Sequence, residues 1–140
     1  MKIKNAALLT FTLLFPILSF AQIQLGTTDT TEAKKVAEDF CIEEKISSPV
    51  RDSLVSCVVA RCVLLKRRVE TTGTGSGAGL TFGGIQMYQR MQNEFDEKVL
   101  KILGKKGYNK FADYTFDYKQ EKFQRLKAAA LAKRKQAARN

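Results

Sequence analysis

The chain reads as an all-α protein, two antiparallel helical hairpins joined by a glycine-rich linker behind a leader that is removed. Three observations predict this. Apolar residues recur at helical spacing in several separate stretches, the one alternating stretch has no second strand to pair with, and six of the nine glycines gather between Gly73 and Gly84. The expected organisation is a leader over 1–21, an N-terminal hairpin over 22–71, a linker over 72–84 and a C-terminal helical pair over 85–140, with 22–140 forming one small domain.

The leader is predicted from order and composition. Lys2 and Lys4 supply a positive start, Ala6 to Phe15 an apolar stretch, and Pro16 a break before Ser19-Phe20-Ala21, with small residues three and one positions before the cut. The mature chain then begins at Gln22. Crossing a bilayer takes about 20 apolar residues, and the run to Ala21 is shorter and carries Thr10, Thr12, Pro16 and Ser19. No cysteine follows the cut directly, which argues against a lipid anchor. These features predict a periplasmic or secreted protein with no transmembrane span after processing.

Asp29 with Glu32 three residues later marks a helix start, followed by Ala33, Val36, Ala37, Phe40 and Cys41 at helical spacing. Ser48-Pro49 reads as an N-cap with proline at the first helical position, so the first helix ends near Ile46 and a second starts near Pro49. Along the second, Val50, Leu54, Val58, Cys62, Leu65 and Val69 make an apolar stripe that faces the first helix.

An oxidising compartment turns three cysteines into one expected bridge and one thiol left over. On the rise of a helix, Cys41 is most nearly level with Cys57, so the predicted bridge is Cys41–Cys57, with Cys41–Cys62 second. Such a closure typically stabilises by about 3 kcal/mol. The remaining Cys62 is read as a buried small hydrophobe, with dimerisation through a spare cysteine as the alternative.

The glycine-rich segment fails the tests for known phosphate and nucleophile motifs. A phosphate-binding loop opening at Gly79 needs lysine where Ile85 stands, and a nucleophile elbow on Ser76 needs glycines where Thr74 and Ala78 stand. Gly75, Gly79 and Gly83 are spaced as a membrane helix contact requires, yet the apolar run around them is too short to span a bilayer. A linker is the leading reading, with a membrane or partner-contact segment and a β-hairpin tip as the alternatives.

From Ile85 a third amphipathic helix runs through Tyr88, Met91, Phe95, Val99, Ile102 and Leu103 to a stop at Gly104 and Gly107. An aromatic cluster follows, Tyr108, Phe111, Tyr114, Phe116, Tyr118 and Phe123, predicted to be helical and to pack on that third helix. Lys119 to Arg139 is composed almost wholly of strong helix formers with a thin apolar side.

Charge is concentrated in that last stretch. The chain carries +10 overall, and residues 119–140 hold eight cations against the single acid Glu121. A concentrated basic end points to an anionic partner. Histidine is absent, which removes serine–histidine and cysteine–histidine catalysis and imidazole metal sites. The cysteine spacing lacks the close pairs of thiolate zinc sites. Asp113 with Asp117, and Asp39 with Glu43, are ordinary surface pairs at one-turn spacing.

The expectation is therefore a non-enzymatic protein without cofactor or metal, its anion- or partner-binding residues Arg125, Lys127, Lys133, Arg134, Lys135 and Arg139 docking on an anionic envelope surface or an acidic protein partner. No specific nucleic acid is expected in that compartment. The alternative is a secreted membrane-active toxin or effector that uses the glycine-rich segment.

Overall fold

The computed structural model describes residues 22–72 and 82–138, and over these it is all-helical, with no strand. Three helices follow an extended N-terminal strap (22–29): α1 (Thr30–Glu43), α2 (Ser48–Thr72) and α3 (Phe82–Ala137). The leader (1–21) and most of the expected linker (73–81) lie outside the described residues. Where the linker was expected to run on to residue 84, α3 already begins at Phe82.

Local chemistry sets each boundary. Asp29 caps α1 through a side-chain oxygen that accepts from the N–H groups of Thr31 (2.8 Å) and Glu32 (3.4 Å), satisfying donors that the first turn leaves free. The helix ends earlier than the sequence suggests, at Glu43. Lys45 adopts φ 54°, and the N–H groups of Lys45 and Ile46 donate back to the carbonyls of Ile42 (3.2 Å) and Cys41 (2.9 Å). This double bond with a left-handed residue after the cap is a Schellman motif, and Ile46 completes it by packing on the core. The N–H of Arg51 donates to Ser47 O at 2.9 Å, so the cap is Ser47 and α2 begins at Ser48, one residue ahead of the predicted start at Pro49.

All five apolar positions predicted for α1 are buried: Ala33, Val36, Ala37, Phe40 and Cys41. From α2 the core receives Leu54, Val58 and Cys62, and from α3 Phe95, Val99, Tyr108, Phe111 and Ala112. The Phe40 ring sits 4.8 Å from that of Phe111 and 5.4 Å from that of Tyr114, tilted in both cases, so part of the aromatic cluster is core. Phe111 and Tyr114 therefore pack on α1, whereas Phe116 and Phe123 are exposed.

Gly104 has φ 70° and ψ 172°, a conformation essentially reserved for glycine, and it breaks α3 into two limbs. Asp96 and Tyr108 share a hydrogen bond across the break. On a straight helix they would stand about 18 Å apart, so the chain turns sharply at Gly104. Gly107, expected as part of the stop, is instead helical, and its place at the corner has a steric cause: a Cβ there would lie 2.8 Å from the Cβ of Leu103.

The strap is the element that sequence reading missed. Ile23 and Leu25 are buried in the same core, and polar groups hold the backbone between them. Ile23 O accepts from Gln92 Nε2 at 3.1 Å, the Ile23 N–H bonds to Asp96, and the Gln24 N–H donates to Thr115 Oγ1 at 3.3 Å. One extended segment thereby ties both limbs of α3 together.

Candidate partner-binding arm and interior sites

The second limb of α3 leaves the body in a definable place. Lys119 Nζ donates to Gln24 Oε1 at 2.8 Å, and one turn later Glu32 collects three donors: Lys122 Nζ at 2.6 and 2.8 Å, Thr27 Oγ1 at 2.6 Å and Tyr118 Oη at 2.7 Å. Burial alone would raise the Glu32 carboxyl, but the hydrogen bonds from Lys122, Thr27 and Tyr118 outweigh it and hold it down at about 2. Burial and the same carboxylate push the Tyr118 hydroxyl up to about 12, so it stays a donor.

Beyond this clamp every described residue from Phe123 to Ala138 is exposed, and the helix continues to Ala137. Arg125, Lys127, Lys133, Arg134 and Lys135 all lie on this projecting arm, while Arg139 lies outside the described residues. At 3.6 residues per turn these five cations point around the whole circumference rather than to one face. Phe123 and Leu126, each 61 % exposed, share a side with Ala130. The arm is a cationic rod with a narrow apolar seam.

The cysteines are not joined. Cys41 and Cys62 are buried free thiols and Cys57 is half-buried, so the expected Cys41–Cys57 bridge is absent from the structure, as is Cys41–Cys62. The cause is register. With α1 ending at Glu43 and α2 starting at Ser48, Cys41 lies about 3 Å inside its helix end and Cys57 about 13 Å inside the other, beyond the reach of a disulfide. Cys57 instead faces Phe95 and Lys98 of α3, and Cys62 approaches Thr27 O at 3.5 Å near the start of α1. Burial raises all three thiols above their ordinary value, which disfavours the thiolate form.

Among the described residues no three cysteine, aspartate or glutamate side chains converge on a metal site, and no helix is long and apolar enough to cross a membrane. Asp113 and Asp117 are exposed on α3.

The interior holds one further polar assembly that no sequence signal announced. Arg61 of α2, only 6 % exposed, places its guanidinium over the rings of Phe95 (5.3 Å) and Tyr88 (5.6 Å), and its Nη2 donates to Gln92 Oε1. Gln92 also donates to Asp96 Oδ1 at 3.0 Å, and Asp96 receives Ile23 N–H and the Tyr108 hydroxyl as well. Burial nonetheless pushes the Asp96 carboxyl up, and it pushes Tyr108 up to about 12. Nη1 of Arg61 is fully buried with no hydrogen-bond partner among the described residues, a state that costs about 1–3 kcal/mol. The side chain lines two open grooves, a largely apolar one of about 340 Å³ between α2 and α3 and a more polar one of about 650 Å³ under the strap.

In comparisons with known proteins, the chain matches no protein-family model, no curated protein and no solved structure.

Proposed function

We propose that this is an exported, non-enzymatic interaction protein that docks through its basic C-terminal arm on an anionic envelope surface or an acidic protein partner. One observation carries the reading: a helix held to the body at Glu32–Lys122 runs on for about four turns with five cations and no acid, exposed along its whole described length. A lone solvated tail needs no such root. Cations on every side suit an extended field of negative groups better than a single carboxylate, and each contributes about 1 kcal/mol beside an anionic lipid surface. The narrow seam of Phe123 and Leu126 adds contact once the arm is down, while its small apolar area argues against deep insertion.

The test compares the purified protein with a chain ending at Lys122, which keeps the clamp intact. In low salt the full chain should co-sediment with phosphatidylglycerol vesicles or retain on a polyglutamate column, and salt should release it as the screening length falls below about 10 Å. The shortened chain should lose both interactions. Equal binding by the two chains rules the reading out.

A further inference from the structure

We propose that the groove between α2 and the first limb of α3 binds a free long-chain carboxylate, its head group meeting the buried guanidinium of Arg61 and its chain lying along Leu64, Met91, Phe95 and Ile102. The walls are almost wholly apolar, and the volume, about 340 Å³, lies in the range of small-molecule sites. Lys98 and Lys101 stand at the rim against the single acid Glu94. Leu64 is half exposed there, an apolar side chain left facing water beside an apolar groove.

The decisive feature is Arg61. Its guanidinium is held between two rings and by Gln92, yet Nη1 has no acceptor among the described residues. Asp96 attracts it through space, but three donors from Gln92, Ile23 and Tyr108 already occupy that carboxylate. Arg61 lines the groove, and a buried N–H on its fixed cation calls for an oxygen acceptor carrying negative charge. A carboxylate supplies the oxygen, and a long acyl chain supplies the surface that Leu64 and Met91 leave uncovered. Neither a short acid nor a neutral alcohol supplies both.

Cys57 provides a reporter, since it lines the groove and is half-buried, whereas Cys41 and Cys62 are buried. Titration calorimetry of the purified protein with dodecanoate below its micellar concentration should give one site. Acetate should not bind, and dodecanol should bind at least about tenfold more weakly, the loss expected for a missing charged hydrogen bond. Dodecanoate should slow alkylation of Cys57 by N-ethylmaleimide. Arg61→Gln should weaken dodecanoate about tenfold and leave dodecanol unchanged. Leu64→Glu, an exposed change that the fold tolerates, should weaken dodecanoate similarly by repulsion and keeps the test decisive if the Arg61 variant fails to fold. The chain ending at Lys122 should bind dodecanoate like the full chain, which separates this site from the arm. No binding, several equivalent sites, full affinity in Leu64→Glu, or equal affinity for dodecanol each overturns the proposal.

Discussion

Glu32 shows how one side chain takes on a task that its position does not advertise. Three residues after Asp29 it occupies the place of a capping-box acid, yet it turns away from the helix start to receive Thr27, Tyr118 and Lys122. Its carboxyl is held at about 2 against an ordinary 4.5. A lowered folded value means that the stabilisation is complete above pH 4.5 and is lost as the pH falls toward 2. Because Lys122 is a third exposed, water screens the pair and the contribution is on the order of 1 kcal/mol. Glu32→Gln should therefore lower the melting temperature at neutral pH, and melting curves taken between pH 4.5 and 2 should show a shallower acid loss than the parent. Lys45 offers the opposite sign. It holds a left-handed conformation that costs a side-chain-bearing residue about 1–2 kcal/mol, so Lys45→Gly should raise the denaturant midpoint, a gain in unfolding free energy of about 1 kcal/mol once the added chain entropy of glycine is deducted.

At the scale of elements, the helices were legible because their signals are local and periodic. The α1 stripe from Ala33 to Cys41 was read residue for residue, and the middle of the α2 stripe, Leu54, Val58 and Cys62, was right as well. Val50 and Leu65 of that stripe are only half-buried, since helix faces drift away from a partner near the termini, and the Val69 side chain lies outside the described residues. The strap was not legible, because the polar–apolar alternation Gln22-Ile23-Gln24-Leu25 is only four residues long and its burial is decided by α3 residues far along the chain. Removing the Ile23 side chain should expose this dependence: Ile23→Ala should cost about 2–4 kcal/mol in equilibrium unfolding, with Gln22→Ala at its exposed neighbour near neutral. The disulfide prediction failed for a related reason. Level pairing was computed from helix ends near Ile46 and Pro49, and the Schellman turn at Glu44 to Ile46 moved the true end of α1 back to Glu43.

For the whole molecule, the sequence disclosed the cationic arm because charge needs no fold to be counted, and it hid the Arg61 groove because that site exists only once α2 and α3 lie side by side. The order in which the parts are made adds a kinetic consequence. Ile23 is anchored by Gln92 and Asp96, and Gln24 by Thr115, at separations of 69 and 91 residues for the Gln92 and Thr115 bonds. Contacts of such long range close late and slow the search for the native state. A chain still growing on the ribosome that has not yet delivered Thr115 offers the Gln24 N–H no acceptor, so the strap takes its seat only after most of the polypeptide has been made.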